Sequence, residues 1–358
     1  MTKKIEWVHV TNFRGISETL LKDIGQVNIF IGKNNVGKST LLEAIYLNSA
    51  WIGRDVFVRN PFKVILYRRG LNPYIRKQHA EDDPLVYLSY FFRSWNKPIR
   101  IESNLGKCEF SISSEIGIGR FPDKIEGDNK RIYIVTEFGE PVFYIEPVES
   151  REYLEYIRYS IKWERWYTSF KDMLKVVLLD EHTFRTPHFG TSAIFDKIKK
   201  LEKISNVTLT GLQNFLTEIT GEKIKDIEEK ITDIMVIYKD GFSVPMSLMG
   251  DGIKAAVAYY YALNTKRGLL VLAEEPENHL HPSLMEVVAK EIAKTRSQVF
   301  ITTHSIEFLR YVLSASLREG TDVKVFRFKS IKDGIPEIEV YNGPEANIAI
   351  NSIGVDLR

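Results

Sequence analysis

Gly25–Glu43 reads GQVNIFIGKNNVGKSTLLE, and the rest of the chain is organised around it. An apolar run, Val27-Asn28-Ile29-Phe30-Ile31, feeds into Gly32-Lys33-Asn34-Asn35-Val36-Gly37-Lys38-Ser39-Thr40, and helical spacing follows over Lys38–Ser49. This order predicts a strand, a phosphate loop and a helix. Gly32 and Gly37 permit the backbone angles that turn successive N–H groups towards an anion, and the helix presents the positive end of its dipole to the same point. Lys38 is expected to reach the β- and γ-phosphates of a nucleotide, and the Ser39 hydroxyl to bind Mg²⁺.

A length of 358 residues suits about two domains, or one domain with a sizeable insertion. With 44% hydrophobic and 27% charged residues the composition is that of a globular protein. The formal net charge of +2 leaves any polyanion surface to a local patch. Cys108 is the only cysteine, which excludes an internal disulfide and a cysteine metal cage. The start, MTKKIEWVHV, has no apolar signal core, and runs such as Ala255–Leu263 fall short of the ~20 residues that cross a bilayer. No membrane association and a cytoplasmic location are therefore expected. Four glutamines among abundant Lys, Glu, Ile and Tyr lean towards a thermophilic source.

Two strands, over Lys4–Val10 and Glu18–Asp23, precede the loop and predict an antiparallel sheet beside the nucleotide core. Residues 51–98 are aromatic and basic. Alternation at Ile99–Ser103, Cys108–Ser114, Arg131–Thr136 and Pro141–Ile145 predicts a β-rich stretch, and a long helix is expected over Ser150–Met173. A short strand at Val176–Leu179, two helices within Thr191–Thr220 and a hairpin around Lys239-Asp240-Gly241 follow. The last third alternates strand and helix. The expected fold is α/β, a P-loop core with a mixed sheet made of residues 1–50 and 232–358, with an α+β insertion over 51–231.

The strand Leu269–Ala273 ends in Glu274-Glu275-Pro276-Glu277. Glu274 can hold Mg²⁺ beside Ser39 while Glu275 polarises the attacking water. Adjacent acids also make ordinary solvated turns; a phosphate loop in the same chain favours the catalytic reading. The next strand ends in Thr302-Thr303-His304-Ser305, where a histidine can sense the γ-phosphate. Ser247-Leu248-Met249-Gly250-Asp251-Gly252 opens a further helix, and its glycines offer a second set of N–H donors. One chain needs one phosphate loop, so this second anion site points to a phosphate from another subunit, the alternative being a simple helix cap.

The order of these motifs resembles the ABC-type ATPases of the SMC, RecF and OLD group. The N-terminal hallmark resembles Asn12-Phe13-Arg14-Gly15, Walker A matches Gly32–Thr40, and the signature loop is similar to Ser247–Gly252. Walker B and the catalytic glutamate resemble Leu269–Glu275, the D-loop Pro276–Pro282, and the switch histidine His304. The wording Glu-Glu-Pro-Glu-Asn-His-Leu-His-Pro is similar to OLD-like AAA proteins. The resemblance implies ATP and Mg²⁺ as ligands, two heads closing on two ATP molecules as a homodimer, and Arg14 near the nucleotide. It also implies work on DNA, directly or with a separate nuclease or effector protein, in repair or defence. Glu274 stands where many relatives have Asp, Met249 replaces the signature serine of transporters, and the Q-loop glutamine has no clear counterpart, Gln78 being a candidate. No Asp-x-Asp cluster follows His304, so a Toprim nuclease is not expected. His279 and His281 lie in the D-loop-like turn, which disfavours a zinc reading. Tyr67–Lys77 interleaves cations with aromatics, as single-strand binding surfaces do, though solvated basic loops share that pattern.

Overall fold

The structure, a computed structural model, describes residues 4–57, 61–69, 74–76, 91–94, 96–114, 130–136, 141–145, 148–149, 153–155, 175–180, 183, 193–230, 233–266 and 268–351. In chain order, β1 (Val8–Phe13) and β2 (Ile16–Leu21) form a hairpin, and β3 (Val27–Gly32) leads into α1 (Lys38–Ile52). There follow β4 (Arg54–Asp55), α2 (Pro61–Arg68), β5 (Tyr74–Arg76), β6 (Ile99–Ser103), β7 (Gly106–Ser114), β8 (Lys130–Thr136) and β9 (Pro141–Ile145). Next come β10 (Val148–Glu149), β11 (Tyr153–Glu155), β12 (Lys175–Leu179), α3 (Ala193–Glu202) and α4 (Leu209–Thr220). The strands β13 (Ile224–Glu229), β14 (Ile234–Tyr238) and β15 (Ser243–Pro245) make a small antiparallel sheet. The chain then runs α5 (Asp251–Leu263), β16 (Leu270–Glu274), α6 (Pro282–Lys294), β17 (Gln298–Thr303), α7 (Ile306–Glu319), β18 (Val323–Lys332), β19 (Ile335–Asn342) and α8 (Gly343–Asn351).

The central sheet has the order β19-β18-β3-β17-β16-β12-β4 and is parallel except for the β18–β19 pair. Every residue of β3 and β17 is buried, as strands covered on both faces require. Alternate residues of β3 serve two cores. Val27, Ile29 and Ile31 pack with α5, α6 and α7 on one face, and Phe30 with α1 on the other. Leu41, Leu42, Ala44, Ile45, Tyr46 and Leu47 of α1 are all at most 1% exposed. A helix this apolar all round must be sandwiched. Its outer cover is the antiparallel sheet β2-β1-β6-β7-β8-β9, through Val8, Val10, Ile99, Ile101 and Phe110.

The mixed sheet and the early antiparallel sheet follow the expectation, and the break between α3 and α4 falls at Ser205–Asn206, where Ser205 bridges to Thr265. Two readings change. The expected insertion 51–231 does not coincide with the sheets: β4 and β12 are strands of the central sheet, and β6 hydrogen-bonds to β1. The helix expected over Ser150–Met173 lies mostly outside the described residues, and Tyr153–Glu155 within it pairs as a strand with Tyr74–Arg76. Gln78 also lies outside them. Among the described residues no helix is long and apolar enough to cross a membrane.

Parallel pairing aligns the carboxyl ends of four neighbouring strands. Thr303 stands opposite Ile31, Glu274 opposite Thr302, and Leu179 opposite Ala273. The phosphate loop, His304, the acidic pair and Asp180 therefore share one edge, where open α/β sheets bind ligands.

Candidate functional site

The loop between β3 and α1 is built for close backbone approach. Gly32 has φ +147°, and a Cβ there would sit 2.2 Å from the carbonyl oxygen of Phe328, its register partner on β18. Phe30 locks the same strand end, its ring packing edge-on to Phe300, Phe326 and Phe328. Asn35 (φ 62°) and Gly37 (φ 99°) complete the left-handed turn. Gly37 caps α1 without a side-chain hydrogen bond, and no acid occupies the first turn, which leaves its N–H groups to an anion. Lys33, Asn34 and Asn35 are exposed, Val36 is buried and Ser39 and Thr40 are half-buried. Lys38 is 5% exposed and its Nζ donates to the carbonyls of Gly32 (2.8 Å) and Lys33 (2.6 Å). Burial lowers its pKa to about 8 against the raising fields of Glu275 and Glu277. A buried ammonium resting on carbonyls suits a phosphate site. We expect Gly32→Ala to cost about 1–3 kcal/mol in backbone strain alone and to lower both the melting temperature and nucleotide affinity.

Glu274 ends β16 with its carboxylate 21% exposed, and Glu275 turns the chain with φ 45°, a left-handed angle that strains a non-glycine residue. The Glu275 N–H donates to Thr302 O at 2.8 Å, and its carboxylate accepts from Asn278 Nδ2 at 2.8 Å. His304 Nε2 lies 3.4 Å from Glu275 Oε1, both side chains one-third exposed. Desolvation, then the Lys38 charge, lowers the His304 pKa below the ordinary imidazole value, against Glu275 and Glu277. This favours the uncharged ring. The sequence placed Lys38, Glu275 and His304 at one site, and here Lys38 and His304 feel each other and both feel Glu275. His281 caps α6, accepting from the Ser283 N–H, which is the structural role of that histidine.

Beside the acidic pair lies a buried ionic cluster that no motif announces. Arg68, with a side chain 3% exposed, pairs with Glu274, contacts Asp180 Oδ2 through Nε at 2.6 Å and faces Glu43 Oε1 at 3.6 Å. Glu43, fully buried on α1, also pairs with Arg14 and with Arg69 (2.7 Å). Arg14, expected near the nucleotide, thus directs its guanidinium to Glu43. Arg68 and Arg69, part of the basic run whose pattern fits a solvated loop as well as a single-strand binding surface, are likewise engaged with carboxylates. Asp180 occupies the strand end beside Glu274.

In the signature-like loop, Gly250 precedes α5, and Asp251 and Gly252 form its first turn. The Ser247 hydroxyl donates to Asp233, and Lys254 pairs with Asp251 at 2.7 Å. With Ser247 so engaged, the amides at the start of α5 are the loop's donors. Leu248 is 76% exposed, an apolar side chain at the head of the loop.

The donor set fits a magnesium nucleotide. The glycines would admit phosphates, with uncapped amides and Lys38 towards them, and Ser39 with Glu274 would supply hard oxygen ligands to the metal. The chain is 24% identical over 353 residues to a Helicobacter pylori protein named "ATP/GTP phosphatase", covering 88% of this chain and 89% of that one. It is 23% identical over 251 residues to "DNA replication and repair protein RecF" of Clostridium botulinum, 66% of each chain. A shorter match, 46% identical over 65 residues, spans 18% of this chain and 30% of an uncharacterized Methanocaldococcus jannaschii protein, MJECL10. The fold is that of the Smc head domain from Pyrococcus furiosus, solved bound to the C-terminal domain of ScpA, with a TM-score of 0.52, 11% identity, and 98% and 99% of the two chains covered. Residues 27–310 match the family described as "AAA domain, putative AbiEii toxin, Type IV TA system", and with most of its length inside that match the chain belongs to this family of ABC-type ATPases of the SMC and RecF kind.

Proposed function

We propose that the protein binds ATP with Mg²⁺ and hydrolyses it, that two copies close on two nucleotides, and that the cycle drives a DNA transaction alone or with a nuclease partner. The observation that carries the reading is the convergence of Lys38, Glu275 and His304 on the aligned ends of β3, β16 and β17. Lys38 and the α1 amides hold the phosphates. Ser39 and Glu274 would hold Mg²⁺, which when bound neutralises charge on the phosphates. Glu275 accepts the proton of the attacking water, and His304, 3.4 Å from it, orients the γ-phosphate end. In the closed pair, Gly250, Asp251 and Gly252 of one copy present their amides to the other copy's ATP. The described residues 51–231 add sheet and helix around the head, a surface for a partner.

A second reading is a switch that acts on a protein partner without DNA. The engagement of Arg68 and Arg69 with carboxylates favours it, because it occupies two cations of the basic run Tyr67–Lys77.

Steady-state ATPase rates with and without single-stranded, duplex and nicked DNA, at low and moderate salt, separate the two. Salt-sensitive stimulation supports the DNA reading. A flat rate with a captured protein partner supports the switch. Lys38→Ala is expected to weaken ATP binding by about tenfold to a hundredfold, the loss of one or two charge-assisted hydrogen bonds. Unchanged ATPase activity would sink the site assignment. Because the Lys38 charge is present below about pH 8 and lost above it, the ATP affinity of the unmutated protein should decline as pH rises past that value, measured by titration calorimetry.

A further inference from the structure

Glu277 lies at this edge without a task in hydrolysis, and its contacts supply one. It stands in the short turn Pro276–His279, two residues beyond Glu275. Its Oε1 accepts from three donors in succession on the neighbouring strand end: Thr303 Oγ1 at 2.7 Å, the His304 N–H at 2.8 Å and the Ser305 N–H at 3.1 Å. Local bonds already close that turn. The Ser305 hydroxyl accepts from the Phe308 N–H at 3.0 Å to cap α7, and Thr303 Oγ1 accepts from the Ser305 N–H at 2.9 Å. The Glu277 clamp is therefore an addition from a different strand, and it grips the backbone of the residue whose ring faces Glu275. The two acids share one rigid turn, since the Asn278 N–H donates to Glu275 O at 3.0 Å and the Asn278 side chain to the Glu275 carboxylate. Any shift of the His304 main chain relative to the acidic turn must stretch the bonds to Glu277.

We propose that Glu277 is a positioning residue that ties the β17–α7 turn to the acidic turn and so fixes the spacing between His304 and Glu275. This rests on the hydrolytic reading above for its effect on rate, but the clamp itself is testable without nucleotide.

Two substitutions in the full chain separate geometry from charge. Glu277→Gln keeps a carbonyl acceptor at the position of Oε1, whereas Glu277→Ala removes it. In nucleotide-free protein, Glu277→Ala should speed amide hydrogen exchange at His304 and Ser305 by about tenfold or more, the loss of hydrogen bonds to a charged acceptor, while Glu277→Gln stays within about threefold of the parent. With ATP, Glu277→Ala should lower kcat by about tenfold or more while the nucleotide Kd moves by less than about threefold, and Glu277→Gln should restore most of the rate. If Glu277→Ala does not fold, Thr303→Val, which deletes one of the three donors, should give the same pattern at smaller amplitude. Unchanged exchange in the alanine variant would show that the clamp is not made in solution, and faster exchange with unchanged kcat would reduce it to a structural bond. Either overturns the proposal. A parent protein that hydrolyses no ATP would instead overturn the hydrolytic reading, and the exchange measurement would still report on the clamp.

Discussion

Glu275→Gln is expected to lower kcat by about 10²–10⁴-fold, the usual worth of a positioned general base, while ATP still binds with an affinity within about threefold of the parent. The amide matches the carboxylate in shape, so it can still accept from Asn278, and the main-chain bond from residue 275 to Thr302 O is untouched. What it cannot do is take a proton from water. The left-handed φ of 45° that residue 275 adopts is equally strained for Glu and Gln, so the fold should tolerate the change. Removing the Glu275 charge also lowers the His304 pKa further, because that carboxylate is one of the two groups raising it, so the variant favours the uncharged ring further. The variant should therefore hold ATP without turning it over. If two copies close on nucleotide, a dimer should accumulate with Mg-ATP and be seen by size exclusion with light scattering. A rate equal to the parent's would remove Glu275 as the base. A slow variant that stays monomeric at saturating Mg-ATP would remove the two-headed arrangement and leave the base in place.

What the sequence disclosed about this site was local. The phosphate loop, the pair Glu274-Glu275 and His304 each sit within a few residues of an apolar run that predicts the strand they end, so motif and context are read together. The residues that escaped notice act across the sheet. Asp180 comes beside Glu274 only through the pairing of Leu179 with Ala273, and Glu277 meets His304 only because β16 lies next to β17. A signal for Asp180 was nonetheless present: Val176-Val177-Leu178-Leu179-Asp180 is an apolar run closed by an acid, the same pattern as Leu270–Glu274. Glu43 carried one too, as an acid within the otherwise apolar run Leu41–Leu47. Arg68 carried none, since a basic residue in a basic stretch reads as solvated until its burial is known. The expected helix over Ser150–Met173 failed at Tyr153–Glu155 for a related reason. Tyrosines at helical spacing also suit a strand, and an available edge at Tyr74–Arg76 decides between them.

Arg68→Ala should cost about 3–5 kcal/mol of stability, the penalty for stripping the cation from a buried ion cluster. The Arg68 side chain is 3% exposed and lies among Glu274, Asp180 and Glu43, the last two at 4% and 0% exposure. Glu43 keeps Arg14 and Arg69 after the change, so the loss falls mainly on Asp180 and Glu274, neighbours at the ends of β12 and β16. Arg68→Lys should recover only part of the stability, because an ammonium holds its donors on one nitrogen, whereas Arg68 reaches Glu43, Asp180 and Glu274 through three separate nitrogens spread over a plane. The same geometry makes a second, opposite-signed expectation. With Arg68 gone, two adjacent carboxylates form a harder anionic site, so Mg²⁺ should raise the melting temperature of Arg68→Ala by more than it raises that of the parent. Denaturant unfolding tests the first, and thermal melts with and without Mg²⁺ test the second. A variant as stable as the parent would mean that Arg68 does not neutralise the cluster in solution. A large loss of stability with no added response to Mg²⁺ would mean that Asp180 and Glu274 part company once the guanidinium between them is removed.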